Sequence, residues 1–404
     1  MKNIYLDNNA TTQIDQHVLA AMTPYLKEFY GNASSMHHFG GQLRHRIDQS
    51  RQQVAQLLHC EPGEIIFTSG GTESDNTAIH GVLASRPDKK HIITSRVEHP
   101  AVRAVCRLLQ TRGYRLTELP VDALGQLDLK QLEEAITEDT ALVTIMYANN
   151  ETGVVFPVDQ IARIVHAKDC LFHCDAVQAV GKLPIDLQQT EIDLLSISGH
   201  KLHGPKGIGV LYVRRGTPLT PFMVGGHQES GRRAGTENVA GIVAIGQACE
   251  LAQTYMAEEN SRVRRLRDKL EAGLLKHCLD ARVNGDAANR LPNTTNISFE
   301  FVEGEAILLL MDSLGIAASS GSACTSGSLE PSHVLRAMGV PFTAVHGSIR
   351  FSLSRYTTEE EVDFVIREMP PIIQRLREIS MFSAGKNSAP QAPYERKPQL
   401  DPIR

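Results

Sequence analysis

Between residues 64 and 213, short apolar runs alternate with longer amphipathic stretches. The runs fall at 65–67, 91–93, 142–146, 171–174, 194–197 and 208–213. Aliphatic and β-branched residues at strand length, without polar alternation, predict strands buried on both faces. The segments between them predict covering helices, so the pattern reads as α/β with a mostly parallel sheet. A long helix is predicted around Val263, Leu266, Leu270 and Leu274, which share one face with charges between them. Beyond it, 296–299 and 348–351 read as strands among helices, one of which opens at Thr358 with Glu361 three residues on, a capping-box spacing. From about 383 onward the chain turns to Ala, Ser, Gln, Lys and Pro, and 383–404 is predicted to be a disordered tail.

Polar groups follow the carboxyl ends of five of these runs. Thr68-Ser69 follows the first, His99 comes shortly after the second, and Asn149-Asn150 follows the third. Asp175 closes the fourth, and Ser198 to Lys201 follow the fifth. Ligands of open α/β sheets sit at that edge, so the coincidence predicts a binding site there.

The chain has 404 residues, more than one core usually holds, so two domains are expected. The boundary is placed near the start of the long helix, giving a large domain over 14–258 and a small one from 1–13 and 259–382. A net charge of −5 with no long basic block excludes a nucleic-acid footprint. No apolar run approaches a membrane span, and Met1–Asp7 lacks the apolar core of a signal peptide, so a cytoplasmic chain is expected. Seven cysteines without CxxC spacing suggest neither a zinc site nor a disulfide framework.

Lys201, directly after the run at 194–197, must find an anion or surrender its charge, and a desolvated amine is a good nucleophile towards carbonyl carbon. Gly70-Gly71-Thr72 precedes a predicted helix, where backbone amides approach an anion; a plain tight turn is the competing reading. Asp175 suits a ring N–H, or else caps the next helix. His99 is placed to lie against a flat ring and relay protons, though a lone histidine more often packs or meets solvent. Cys324 sits in Ala317–Ser328, a run of small residues that predicts a mobile loop (about 318–330) with an accessible thiol, reactive or incidental. Arg350, inside an apolar strand, calls for a carboxylate from protein or ligand. One cofactor uses Lys201, the turn at 68–73, His99, Asn150, Asp175 and Gln178 together: pyridoxal 5'-phosphate joined through its aldehyde to Lys201.

With those residues named, the chain resembles the cysteine desulfurases of the class V aminotransferase family. The resemblance runs from Tyr5–Thr12 to Phe351 and is most specific at Ser320–Ser332, with further matches at Ser198–Lys201 and Arg233–Asn238. It looks most like the nitrogen-fixation members and next like the housekeeping iron–sulfur members. Ala33 stands where proline is usual, and the C-terminal tail lacks the segment that docks the housekeeping scaffold.

The resemblance implies the aspartate aminotransferase-like fold (fold type I) of pyridoxal phosphate enzymes, with a smaller α+β domain. It implies a homodimer that turns L-cysteine into L-alanine and passes the sulfur to an iron–sulfur scaffold protein, for nitrogenase maturation before general assembly. A selenocysteine lyase or a transaminase is the rival. The resemblance to the cysteine desulfurases also implies that Lys201 binds the cofactor, Asp175 partners the ring nitrogen, His99 stacks on the ring and Gln178 bonds the ring hydroxyl. Gly71, Thr72, Ser198 and His200 hold the phosphate, joined by Thr236 of the partner subunit. Asn150 and Arg350 hold the substrate carboxylate, and Cys324 is the nucleophile and a transient iron–sulfur ligand.

Overall fold

The computed structural model describes residues 3–320 and 331–380. Cys324 and the segment 383–404 lie outside the described residues, so the expectations placed on them find no structural counterpart here. The strands are β1 (Ile4–Tyr5), β2 (Ile65–Thr68), β3 (His91–Ser95), β4 (Arg115–Leu119), β5 (Thr140–Thr144), β6 (Leu171–Asp175), β7 (Leu194–Ser198), β8 (Gly209–Val213), β9 (Ala281–Val283), β10 (Thr294–Phe299), β11 (Ile316–Ala317) and β12 (Ser348–Ser352).

Seven of them form one sheet in the order β2-β8-β7-β6-β5-β3-β4. Only β8 runs against its neighbours, so the sheet is mostly parallel and β2, β3, β5, β6 and β7 end at the same edge. The continuous apolar runs are explained by burial on both faces. Ile65, Phe67, Val143, Leu195 and Val210 enter one core, while Ile66, Leu142, Leu194 and Leu211 enter the other. Successive side chains of a strand point to opposite faces, so neither face tolerates a polar alternation.

The apolar pattern does not reveal β4, Arg-Leu-Thr-Glu-Leu, which lies on the sheet edge and is mostly half-exposed. An edge strand needs no second apolar face, and its charges blunt pairing with other chains.

A further core gathers Ile4, Leu6, Val263, Leu266, Leu270, Ile297, Phe299, Ile349, Phe351 and Val365. It covers the antiparallel sheet β12-β10-β9, in which Asn296 faces Arg350. The predicted long helix is two helices, Val239–Glu258 and Arg264–His277, joined through a π-helical segment at Glu259–Val263. The first buries Ile242, Ile245 and Ala248 in the large core, and the second buries Leu266, Leu270 and Leu274 in the smaller one. Leu291, Val334, Leu335, Met338 and Val345 nevertheless pack with the large core, so the division at 258/259 is offered as a proposal that cuts across shared packing. The capping box forms: the Thr358 hydroxyl accepts the Glu361 N–H, and the Glu361 carboxylate accepts the Thr358 N–H.

Among the described residues, no helix is long and apolar enough to cross a membrane, and no His/Cys/Asp/Glu group could hold a metal ion.

Candidate active site

The site is built where the parallel strands end. The helix Gly71–Ser85 starts three residues after β2, and its first N–H groups have no partner one turn earlier. A Cβ on Gly71 would lie 2.8 Å from Val177 Cγ2 and 3.5 Å from Ser198 Cβ. The close approach of these backbones therefore requires glycine, and it brings the ends of β2, β6 and β7 together. Ser198 is buried there, while Thr72 is exposed at the helix start.

Asp175 ends β6 and is buried, with Oδ1 accepting the Val177 N–H at 2.9 Å. Burial pushes its carboxyl up to about 6, against the pull of that N–H and of the Lys201 charge. Lys201 lies in the 3-10 turn Gly199–Lys201, and its Nζ donates to the carbonyls of Asn9 and Ala10, the latter at 2.7 Å. His99 caps the helix Pro100–Thr111, its Nδ1 accepting the Ala101 N–H at 3.1 Å. Burial and then the Lys201 charge push His99 down to about 4, so it is neutral at physiological pH. Burial does the same to His200, whose Nδ1 lies 3.1 Å from the Thr11 hydroxyl oxygen.

Gln178 donates from Nε2 to the Asn9 carbonyl at 3.0 Å, and its Oε1 is buried without a hydrogen-bond partner. The backbone oxygen of Asn150 accepts from Asn9 Nδ2 and from Arg350 Nη1, both at 3.1 Å. Arg350 Nη2 lies 2.6 Å from Asp7 Oδ1, while its Nε is buried without a partner.

Lys201, Asp175, His99, Gln178, Asn150, Gly71, Ser198, His200 and Arg350 thus meet directly or through the segment Asp7–Thr11. Thr236 is exposed on the segment after Arg233, whose guanidinium pairs with Glu73 in the first turn of the helix Gly71–Ser85. Cys324 is outside the described residues, but both flanks of its segment are fixed at the site. Ser319 exchanges backbone hydrogen bonds with Arg350, Ser332 donates to Glu151, and His333 Nε2 bonds the Glu98 carbonyl at 3.0 Å.

The sequence reading assigned no role to Asp7, Asn9, Asp75, Glu98 or Glu151. Asn9 is the hub of the site, because Lys201, Gln178, Asn150 and Thr294 all bond to it. The run Asp7-Asn8-Asn9 directly after apolar Ile4–Leu6 was the available signal. Asp75 and Glu98 gave none, since a single acid inside a helix or before a histidine is commonplace.

A flat anionic ligand fits these groups: amides at a helix start for an anion, an orphaned amide oxygen, a carboxylate and an amine deep in the cleft. The comparisons with known proteins agree. The class V aminotransferase family matches residues 4–365. The chain is 62% identical over 385 residues to "Cysteine desulfurase 2" of Trichormus variabilis, covering 95% of this chain and 96% of that one. It is 57% identical to the cysteine desulfurase NifS of Azotobacter vinelandii, with coverages of 95% and 96%. A solved NifS-like protein superposes with a TM-score of 0.88 at 40% identity, covering 93% of this chain and 100% of that one. Matched over nearly its full length, the chain belongs to the class V aminotransferases and, within them, to the cysteine desulfurases.

Proposed function

We propose that this chain binds pyridoxal 5'-phosphate and converts L-cysteine to L-alanine, carrying the released sulfur as a persulfide on Cys324. The observation that carries this reading is the meeting of Lys201 and Asp175 at one sheet edge, beside the unpartnered Gln178 Oε1. Pyridoxal phosphate, when bound, supplies an electron sink for negative charge developing on the substrate.

The chain's own residues do the rest. Lys201 holds the cofactor covalently and, with His99, moves the substrate's alpha proton. The neutral His99 ring is suited both to stacking and to proton transfer at pH 7. Asp175 would pair with the ring nitrogen, and Gln178 with the ring hydroxyl. Gly71, Thr72, Ser198 and His200 hold the phosphate, with Thr236 of the partner subunit completing it in a homodimer. Asn150 and Arg350 fix the substrate carboxylate, and Asp7 keeps the Arg350 guanidinium in place. Cys324, as thiolate, attacks the substrate sulfur; the S–S bond forms as the C–S bond breaks and alanine leaves. The residues before the Cys324 segment bond to Arg350, and those after it bond to Glu98 and Glu151.

The sulfur acceptor is an iron–sulfur assembly scaffold, with nitrogenase maturation favoured by the identity to NifS of Azotobacter vinelandii. Cys324 also serves there as a transient cluster ligand. A cytoplasmic, soluble dimer is the form proposed.

The test is turnover of L-cysteine by purified protein with a thiol reductant, following alanine and sulfide together. Cys324→Ala should abolish both, and Lys201→Ala should give a colourless protein. Undiminished alanine production by Cys324→Ala would favour a lyase or transaminase reading instead.

A further inference from the structure

A second carboxylate lies behind Asp175. Asp75 sits one turn into the helix Gly71–Ser85 and is 1% exposed. Its Oδ1 has no hydrogen-bond partner and lies 3.7 Å from His173 Nε2. His173 is fully buried, with Nδ1 at 2.8 Å from the Thr144 hydroxyl and Nε2 at 2.9 Å from the Ser196 hydroxyl. Ser196 also lies close enough to Asp75 to favour its charged form, an effect that burial outweighs.

His173 and Asp175 are two residues apart on β6, so they share a face, and Ser196 on β7 is the register partner of Asp175. Leu171 and Leu194 on the same strands pack into the core beneath the helix Gly71–Ser85, which places this row of polar groups against that helix. Asp75, His173, Ser196 and Asp175 therefore form one closed patch under the cleft.

Two buried carboxylates that feel each other's charge resist ionising together, so one of them keeps a proton. The surroundings decide which one keeps it. Asp175 accepts a backbone N–H and faces the Lys201 ammonium, both of which favour a charge. Asp75 lies inside a helix, where backbone N–H groups are already used, and its Oδ1 has no donor at all.

We infer that Asp75 is a positioning residue: it holds that proton as a neutral acid against His173 and Ser196, and so leaves Asp175 as the ionised carboxylate facing the ring nitrogen. This rests on the assignment of Asp175 made above. The remaining titratable groups around Asp75 reinforce it. Burial and then the charge of Asp175, with a contribution from Glu98, push Asp75 well above the ordinary carboxylate range. Burial pushes His173 down to about 3, so Asp75 and His173 face each other as neutral groups, although the 3.7 Å separation alone admits an ion pair. Cys106 and Cys174, also near, are pushed up by burial and stay thiols.

The test reads the proton directly. Infrared spectra of the full-length protein carrying carbon-13-labelled aspartate, freed of cofactor at pH 7.5, should show an isotope-shifted carbonyl band of a protonated acid. Asp75→Asn should remove it. A labelled spectrum without that band, or a band that survives Asp75→Asn, overturns the inference. If the variant fails to fold, Asp175→Asn serves in its place: the band should survive it, and its loss there would overturn the inference.

In the reconstituted enzyme, Asp75→Ala strands His173 and Ser196 beside Asp175. It should weaken cofactor retention on the order of tenfold, the scale of one buried unsatisfied group. It should also move the pH midpoint of the cofactor's absorbance, and Asp75→Asn should rescue both. An Asn variant as defective as the Ala variant would show that a charge, not a neutral donor, is needed there. Failure of the cofactor reading would appear separately, as a colourless wild type that still carries the acid band.

Discussion

Glu98 should make the protein less stable as pH rises, and replacing it with glutamine should remove that contribution. Its side chain is fully buried; Oε1 accepts from the Ser95 hydroxyl at 2.6 Å and the Met146 N–H at 3.1 Å, while Oε2 has no partner. Burial pushes the carboxyl from 4.5 up to about 8, the two hydrogen bonds pulling down and the Asp175 charge adding to the rise. Between those two values the folded chain holds a proton that the unfolded chain has released. Stability therefore falls by about 1.4 kcal/mol per pH unit, present in full below 4.5 and lost as pH rises through about 8. The whole interval is worth on the order of 5 kcal/mol.

Glu98→Gln keeps the acceptor oxygen for Ser95 and Met146 but leaves an amide without an acceptor, at a pH-independent cost of about 1–3 kcal/mol. The variant should thus melt below wild type at pH 5, cross it between about pH 5 and 7 and exceed it at pH 8. With an unfolding entropy near 2.1 cal/mol/K per residue over 404 residues, about 3 kcal/mol gained between pH 6 and 8 is a relative shift of roughly 3 °C. Melting followed by circular dichroism at one scan rate and ionic strength measures it. Parallel curves for the two proteins across pH 5 to 8 would refute the buried neutral acid.

Asp175→Asn keeps the Val177 N–H bond but removes the charge that a ring N–H requires, so it should fold normally. It should retain cofactor and turn over cysteine roughly 10–100-fold less well, the scale of a hydrogen bond to a charged group; absorbance after gel filtration and alanine release check both. Asp15 caps the helix Gln16–Lys27 and accepts from Tyr356 and Arg355, and these bonds outweigh burial to hold it at about 2. Its depressed value contributes about 2 kcal/mol above pH 3.8 that is lost as pH falls through about 2. Asp15→Ala should accordingly lower the urea midpoint from pH 5 upward, by an amount that shrinks below about pH 4.

The chain alone determined the sheet and its functional edge. Runs such as 142–146 and 194–197 are apolar except at Thr144 and Ser196 because both faces of the sheet are covered, and the polar residues that follow them must surface where parallel strands end. Lys201, Asp175 and His99 were legible for that reason, and the capping box at Thr358 because its partners are three residues apart. Only tertiary structure could bring Asn9 to Lys201 across 192 positions, or Asp7 to Arg350 across 343, since nothing local marks either pairing. It alone made Asp75, Glu98 and Glu151 what they are. An acid's charge depends on what surrounds it in three dimensions, and burial raised three ordinary carboxyls above their usual range.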